Sequence, residues 1–103
     1  MKKTPGTVRE LLGSPESWTQ DAYARDQHGK PVHQNDSSAT SWCLVGAIYC
    51  VHGAEAKTAI MRCLHLINPS DNGGYRTAPV GAWNDAPERS YKDIIELLEN
   101  TGI

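Results

Sequence analysis

The sequence predicts a mainly α-helical α+β fold: a small domain packed around one central apolar helix, with a β-hairpin near residues 19–33. Three observations lead there. Residues 42–51 read W-C-L-V-G-A-I-Y-C-V, apolar or aromatic throughout except at Gly46, and a helix apolar on every side must be enclosed by its neighbours. Residues 54–68 and 90–98 space their apolar side chains by threes and fours, which gathers them on one helical face. Between Trp18 and Gln34 that spacing gives way to strand-like alternation around D-Q-H-G, a short hairpin turn.

Length and composition set the bounds. A chain of 103 residues suits one domain spanning residues 1–103, with a single modest core. Apolar residues make up 39% and charged ones 21%, a globular rather than a disordered balance. The net charge is −2 and the Lys and Arg residues are scattered. That disfavours nucleic acid, whose recognition needs a clustered basic footprint. No apolar segment follows the opening M-K-K-T-P-G-T, and no stretch is long enough to span a bilayer. The expected location is therefore the cytoplasm, with no membrane partner. The three cysteines fall in predicted helices, and an odd number there suits reduced thiols.

The elements follow in chain order. Thr7 and Glu10 form a capping box for a short helix with Val8, Leu11 and Leu12 on its apolar edge, and Gly13 ends it. Ser14-Pro15 opens another short turn. From Trp18 to Arg25 the side chains alternate, Gly29 takes the positive-φ position of the turn, and Pro31 keeps the returning strand at an edge. Residues 35–41, N-D-S-S-A-T-S, are cap and turn formers, and Ser37 or Ser38 is the favoured start of the central helix. Within it Cys43, Gly46, Ala47 and Cys50 form a stripe of small side chains suited to a close approach. His52-Gly53 stops that helix, and residues 54–68 return antiparallel to it, up to Pro69. Residues 68–81 are rich in Gly and Pro and read as a long loop that carries A-W-N-D toward the last helix. There Ser90 and Asp93 form a capping box, and Tyr91, Ile94, Ile95, Leu97 and Leu98 supply the buried edge.

Few residues invite a chemical role. A cysteine in the first turn of a helix is activated by unpaired N–H groups, and Cys43 would qualify if its helix began at Thr40 or Ser41. The order Gln20, Cys43, His65, Asn84 then matches the oxyanion donor, nucleophile, base and orienter of a papain-like hydrolase. A start at Ser37 or Ser38 instead buries Cys43 more than a turn inside, as a packing residue, and that reading is preferred. No catalytic residue is assigned. Cys50-x-His52 and Cys63-x-His65 hold zinc-ligand types, but residues two apart on a helix point about 200° away from each other. No metal and no cofactor is expected.

Trp83-Asn84-Asp85 lies in the predicted loop just before a helix, where binding residues are commonly displayed. Asp85 can equally cap a turn with Glu88, with Trp83 plugging the core. The ligand reading makes Asn84 and Asp85 a pocket for a small polar ligand, roofed by Tyr75, Arg76 and Trp83.

The segments W-T-Q-D-A-Y-A-R-D-Q-H-G-K-P-V, S-W-C-L-V-G-A-I and A-W-N-D-A-P-E-R-S-Y-K-D-I-I-E-L-L, in this order, resemble a family of small uncharacterised bacterial and phage proteins. That family is known by a domain-of-unknown-function label, and its members share the W-C-x-x-G-A and W-N-D signatures. The likeness runs from Trp18 to Leu98 and brings no activity or cofactor with it. It implies that Trp42-Cys43, Gly46-Ala47 and Trp83-Asn84-Asp85 belong to a shared pattern.

The expected function is recognition: a small binding or adaptor protein whose surface combines the hairpin with the segment from Asn68 to Asp85. The expected partner is a protein or a small polar ligand, with self-association as a further form. An origin in phage, and action on a host protein or signalling molecule, follow from the resemblance alone. The Cys43 hydrolase and the Asn84-Asp85 pocket are the alternatives.

Overall fold

The computed structural model describes residues 6–103; Met1–Pro5, part of the opening segment from which the expected location was read, lie outside the described residues. The chain forms helix α1 (Val8–Leu11), a 3₁₀ turn at Pro15–Ser17, strands β1 (Ala24–Asp26), β2 (Pro31–Val32) and β3 (Ala39–Trp42), then helix α2 (Leu44–His52). A 3₁₀ turn at Gly53–Glu55 leads to α3 (Ala56–Ile67), α4 (Ala78–Asp85) and α5 (Tyr91–Thr101). The result is a small, mainly helical α+β domain, as the sequence predicts.

Helix α2 is the centre. Leu44 through Ile48 are all buried, and the helix packs against α1, α3 and α4. Val8 and Leu12 close one side, Ile60 and Leu64 of α3 another, and Val80 of α4 a third; Ile94 and Leu98 of α5 complete the same core. Of the two predicted capping boxes the one at α5 is complete, and the one at α1 is half made, with the Glu10 carboxylate reaching the Thr7 hydroxyl rather than the Thr7 N–H. The Thr7 side chain accepts from the Glu10 N–H, and Ser90 and Asp93 cap α5 reciprocally. Among the described residues no helix is long and apolar enough to cross a membrane.

The hairpin is present, with the predicted turn. Gly29 sits at φ 80° and its N–H reaches the Asp26 carbonyl at 2.9 Å. Its setting differs from the prediction in two ways. Of the alternating residues from Trp18 to Tyr23 only Trp18 pairs, in an isolated parallel bridge with Trp42, so β1 begins at Ala24. A third strand joins the sheet, in the order β2-β1-β3, with Ala24 opposite Trp42 and Arg25 opposite Ser41.

That third strand moves the start of the central helix. N-D-S-S does not cap a helix: the Asp36 carboxylate accepts from the N–H and the hydroxyl of Ser38, closing a turn that feeds β3. Thr40 and Trp42 are strand formers and fill the open edge of β1. Trp42 is therefore the last strand residue, Cys43 is the N-cap, and α2 starts at Leu44.

The segment predicted as loop over 68–81 also differs, because Ala78–Asp85 is helical. Pro79 lies in the first turn, where its missing N–H costs no hydrogen bond. Val80 and Asn84, four residues apart, are the buried face. The W-N-D motif is thus the last turn of a helix.

Candidate functional site

Three consecutive residues of one helical turn point about 100° apart, and Trp83, Asn84 and Asp85 do three different things. Asn84 points into the core and is 0% exposed. Its Oδ1 accepts from the Trp18 indole N–H at 2.8 Å and from the Leu44 N–H at 3.0 Å. Its Nδ2 donates to the Thr19 carbonyl at 3.2 Å and to Asp85 Oδ1 at 2.8 Å. One side chain therefore ties α4 to the first N–H of α2 and to the extended arm before β1.

Gln20 and Asp85 complete the tie from either side. The Gln20 amide donates to the carbonyls of Asn84, at 2.9 Å, and Ala86, at 3.0 Å, satisfying acceptors left open at the end of α4. Asp85 Oδ1 accepts from the Asp21 N–H at 2.9 Å. Asp21 has φ 65°, a left-handed conformation that Asp adopts more readily than most residues, and the Asp85 carboxylate holds it there.

Beside this tie, a cleft of about 320 Å³ opens between the arm, the start of α2 and α4. Asp21 and Tyr23 line it from the arm, Cys43 from the N-cap of α2 and Val45 from its first turn, and Gly81 and Asp85 from α4.

Cys43, 6% exposed, forms part of the floor. Its Sγ accepts from the Gly46 N–H at 3.2 Å, so the thiol serves as the N-cap of α2. Burial pushes the thiol pKa up, the Gly46 N–H pulls it partly back, and the charge of Asp85 raises it further. The position beside a helix start that the hydrolase reading needs is occupied, but the thiolate is disfavoured there. No histidine lines the cleft. His65 is exposed on α3, and Gln20 is held by the end of α4.

Burial also pushes Cys63 up to about 12 and raises Cys50, which is only partly buried. Alkylation of the native protein near pH 8 is expected to modify Cys50 first. Cys43 and Cys63 should need denaturant. Peptide mass mapping checks the order, and fast labelling of Cys43 with a midpoint below the ordinary thiol value of about 8.5 would restore the nucleophile reading.

The other residues singled out in the sequence lie elsewhere. Trp83 is half-buried and carries the Arg89 guanidinium 3.9 Å from its ring centroid, beside a separate groove with Leu66. The Tyr75 hydroxyl is 2.6 Å from that of Tyr49, and Arg76 pairs with Asp71. The structure thus brings Asn84, Asp85, Gln20 and Cys43 together, and leaves Tyr75, Arg76, Trp83 and His65 outside the cleft. Asp21, Ala22, Tyr23, Thr77, Ala78 and Gly81 are lining residues not singled out as candidates in the sequence. Asp21 and Tyr23 belong to the alternating stretch that imitates a solvated strand, and Gly81 to a segment that imitates a loop.

No curated protein and no solved structure matches the chain significantly. One family model does, over residues 6–102. The interlocking of the arm, the start of α2 and the end of α4 thus lies within the matched span, and the chain belongs to this family, the family of unknown function DUF6197.

Proposed function

We propose that this protein is a binding module without chemistry of its own, and that the cleft between the arm, α2 and α4 is its binding site. The observation that carries the reading is the preformed space of about 320 Å³ walled by three segments that Asn84 fixes to one another. That volume lies at the small end of the range for ligand sites, about 300–1,000 Å³. It suits a small ligand or one protruding side chain of a partner, such as a host protein or a signalling molecule of phage–host conflict. A broad docking face has less support, since the large exposed apolar side chains, Tyr23, Leu66 and Tyr75, sit on three separate segments. The hydrolase alternative has its thiol in the cleft but no histidine there to act as its base.

Gly81 gives the test. A Cβ built there meets nothing within 4 Å, so Gly81→Leu fills the cleft from a helix that tolerates it. In a screen of small fragments of mixed charge, read by amide shifts, hits are expected to gather on Ala22, Val45 and Ala78 and to vanish in Gly81→Leu. Hits scattered over the surface, or unchanged by Gly81→Leu, would remove the cleft as the site.

A further inference from the structure

The walls of the cleft also define its ligand, an inference that rests on the binding-site reading above. Two carboxylates line the cleft, those of Asp21 and Asp85, and no Lys, Arg or His does. Asp85 uses one oxygen for both of its internal bonds, to the Asp21 N–H and to Asn84 Nδ2, which leaves Oδ2 without a donor among the described residues. None of the ion pairs among those residues includes Asp21 or Asp85. Arg25, in β1 just after the arm, gives its guanidinium to Thr19 Oγ1 and to the carbonyls of Gln20 and Gly29.

The same site is poorly suited to anions. A helix start normally offers free N–H groups to a negative group, but in α2 the Leu44 N–H is held by Asn84 and the Gly46 N–H by Cys43. An anion would meet two carboxylates with only the Thr77 hydroxyl and the Val45 N–H to offset them. The remaining wall is mostly apolar: Ala22, Val45 and Ala78 line it beside Thr77 and Cys43, and Tyr23, also a lining residue, is 55% exposed and keeps an aromatic side chain available there. Ring faces and carboxylates both attract cations.

We propose that the cleft selects an organic cation, a primary ammonium or guanidinium group on a short apolar body, with Asp85 meeting the charge, Asp21 adding to the field and Tyr23 covering the body. The cation can come from a free amine or from a Lys or Arg side chain, and the two sources share this chemistry.

The test uses the isotope-labelled full chain and matched probes: phenethylamine, 2-phenylethanol, 3-phenylpropionate and the blocked tripeptide acetyl-Gly-Lys-Gly-amide. Phenethylamine or the tripeptide is expected to shift the amides of Ala22, Val45 and Ala78, and phenylpropionate is not. Asp85→Asn should weaken that binding about tenfold or more, since a charge-assisted contact is lost. Tyr23→Ala, at an exposed position that leaves the fold intact, should weaken it several-fold and gives a second readout should Asp85→Asn disturb the arm. Binding of phenethylamine assigns a free amine, and binding of the tripeptide alone assigns a protein side chain; either supports the proposal. If the alcohol or the acid binds as well as the amine, the cation proposal falls while the cleft stands. If no probe shifts the cleft amides, the cation proposal falls, and the mixed-charge screen with Gly81→Leu decides the cleft separately.

Discussion

Asn84→Ala is expected to remove about 3–5 kcal/mol of stability, most of what a marginal small domain has, since the usual total is about 5–15 kcal/mol. The substitution deletes one acceptor and one donor at a site with no exposure. The Leu44 N–H and the Trp18 indole N–H lose their acceptor, and the Thr19 carbonyl loses its donor. Each buried polar group left unpaired costs roughly 1–3 kcal/mol, and the missing side chain adds a small cavity. Asn84→Asp separates the acceptor role from the donor role. It keeps an oxygen for Trp18 and Leu44 but places negative charge against the Thr19 carbonyl and Asp85. Burial and that neighbouring carboxylate favour the neutral acid, so the folded-state pKa of the new carboxyl lies above its unfolded value. The sign follows: relative to wild type, the variant regains stability as pH falls through the folded-state pKa and is weakest above it. Urea unfolding of both variants across pH is the measurement. A loss below about 1 kcal/mol for Asn84→Ala would mean that water replaces the amide, and that Asn84 does not fix the cleft.

Asn84 also explains where the sequence could be read and where it could not. The helices with apolar faces were legible: Ala59, Ile60, Cys63 and Leu64 on α3, and Ile94, Leu97 and Leu98 on α5, are buried as their spacing predicts. Helix α4 was hidden because its buried face consists of Val80 and Asn84. A polar residue in the apolar position, flanked by Pro79 and Gly81, gives no period for pattern reading to find. Strand β3 was hidden for a different reason. A-T-S-W runs without a break into the apolar helix, and only a partner eighteen residues earlier, Ala24, distinguishes strand from helix there. The candidate site was legible as motifs and illegible as a place. W-N-D and W-C-x-x-G-A mark two of the three walls, but the third is the arm, whose alternation is strand-like although its hydrogen bonds are divided between α4 and the Trp42-Cys43 junction.

The Gly of W-C-x-x-G-A carries the other large expected effect. A Cβ at Gly46 would lie 2.1 Å from the Tyr23 carbonyl oxygen and 2.9 Å from its carbon. These are backbone atoms, so no side-chain rotation relieves the overlap. The arm cannot easily withdraw either. The Tyr23 carbonyl accepts from the Cys43 N–H at 3.1 Å, and the next residue, Ala24, pairs with both Val32 and Trp42. Gly46→Ala must therefore displace the arm, lose the Cys43 bond and strain the cleft wall at Tyr23. Overpacking typically costs about 1–3 kcal/mol and the lost hydrogen bond about 1 kcal/mol, against a helix-propensity gain of up to about 1 kcal/mol. The net expectation is a loss of about 2–3 kcal/mol, or roughly 10–20 °C in melting temperature for a domain of this size. Gly81→Ala supplies the contrast. It too sits inside a helix, but a Cβ there meets nothing within 4 Å, so only the propensity gain remains, about 0.5–1 kcal/mol of added stability. Two glycines in helices should thus respond to the same substitution with opposite sign, one because the backbone of the arm rests on it and the other because it faces the open cleft. A melting temperature for Gly46→Ala within about 2 °C of wild type would mean that the arm moves freely away from α2, and a cleft walled by so loose an arm would not be preformed.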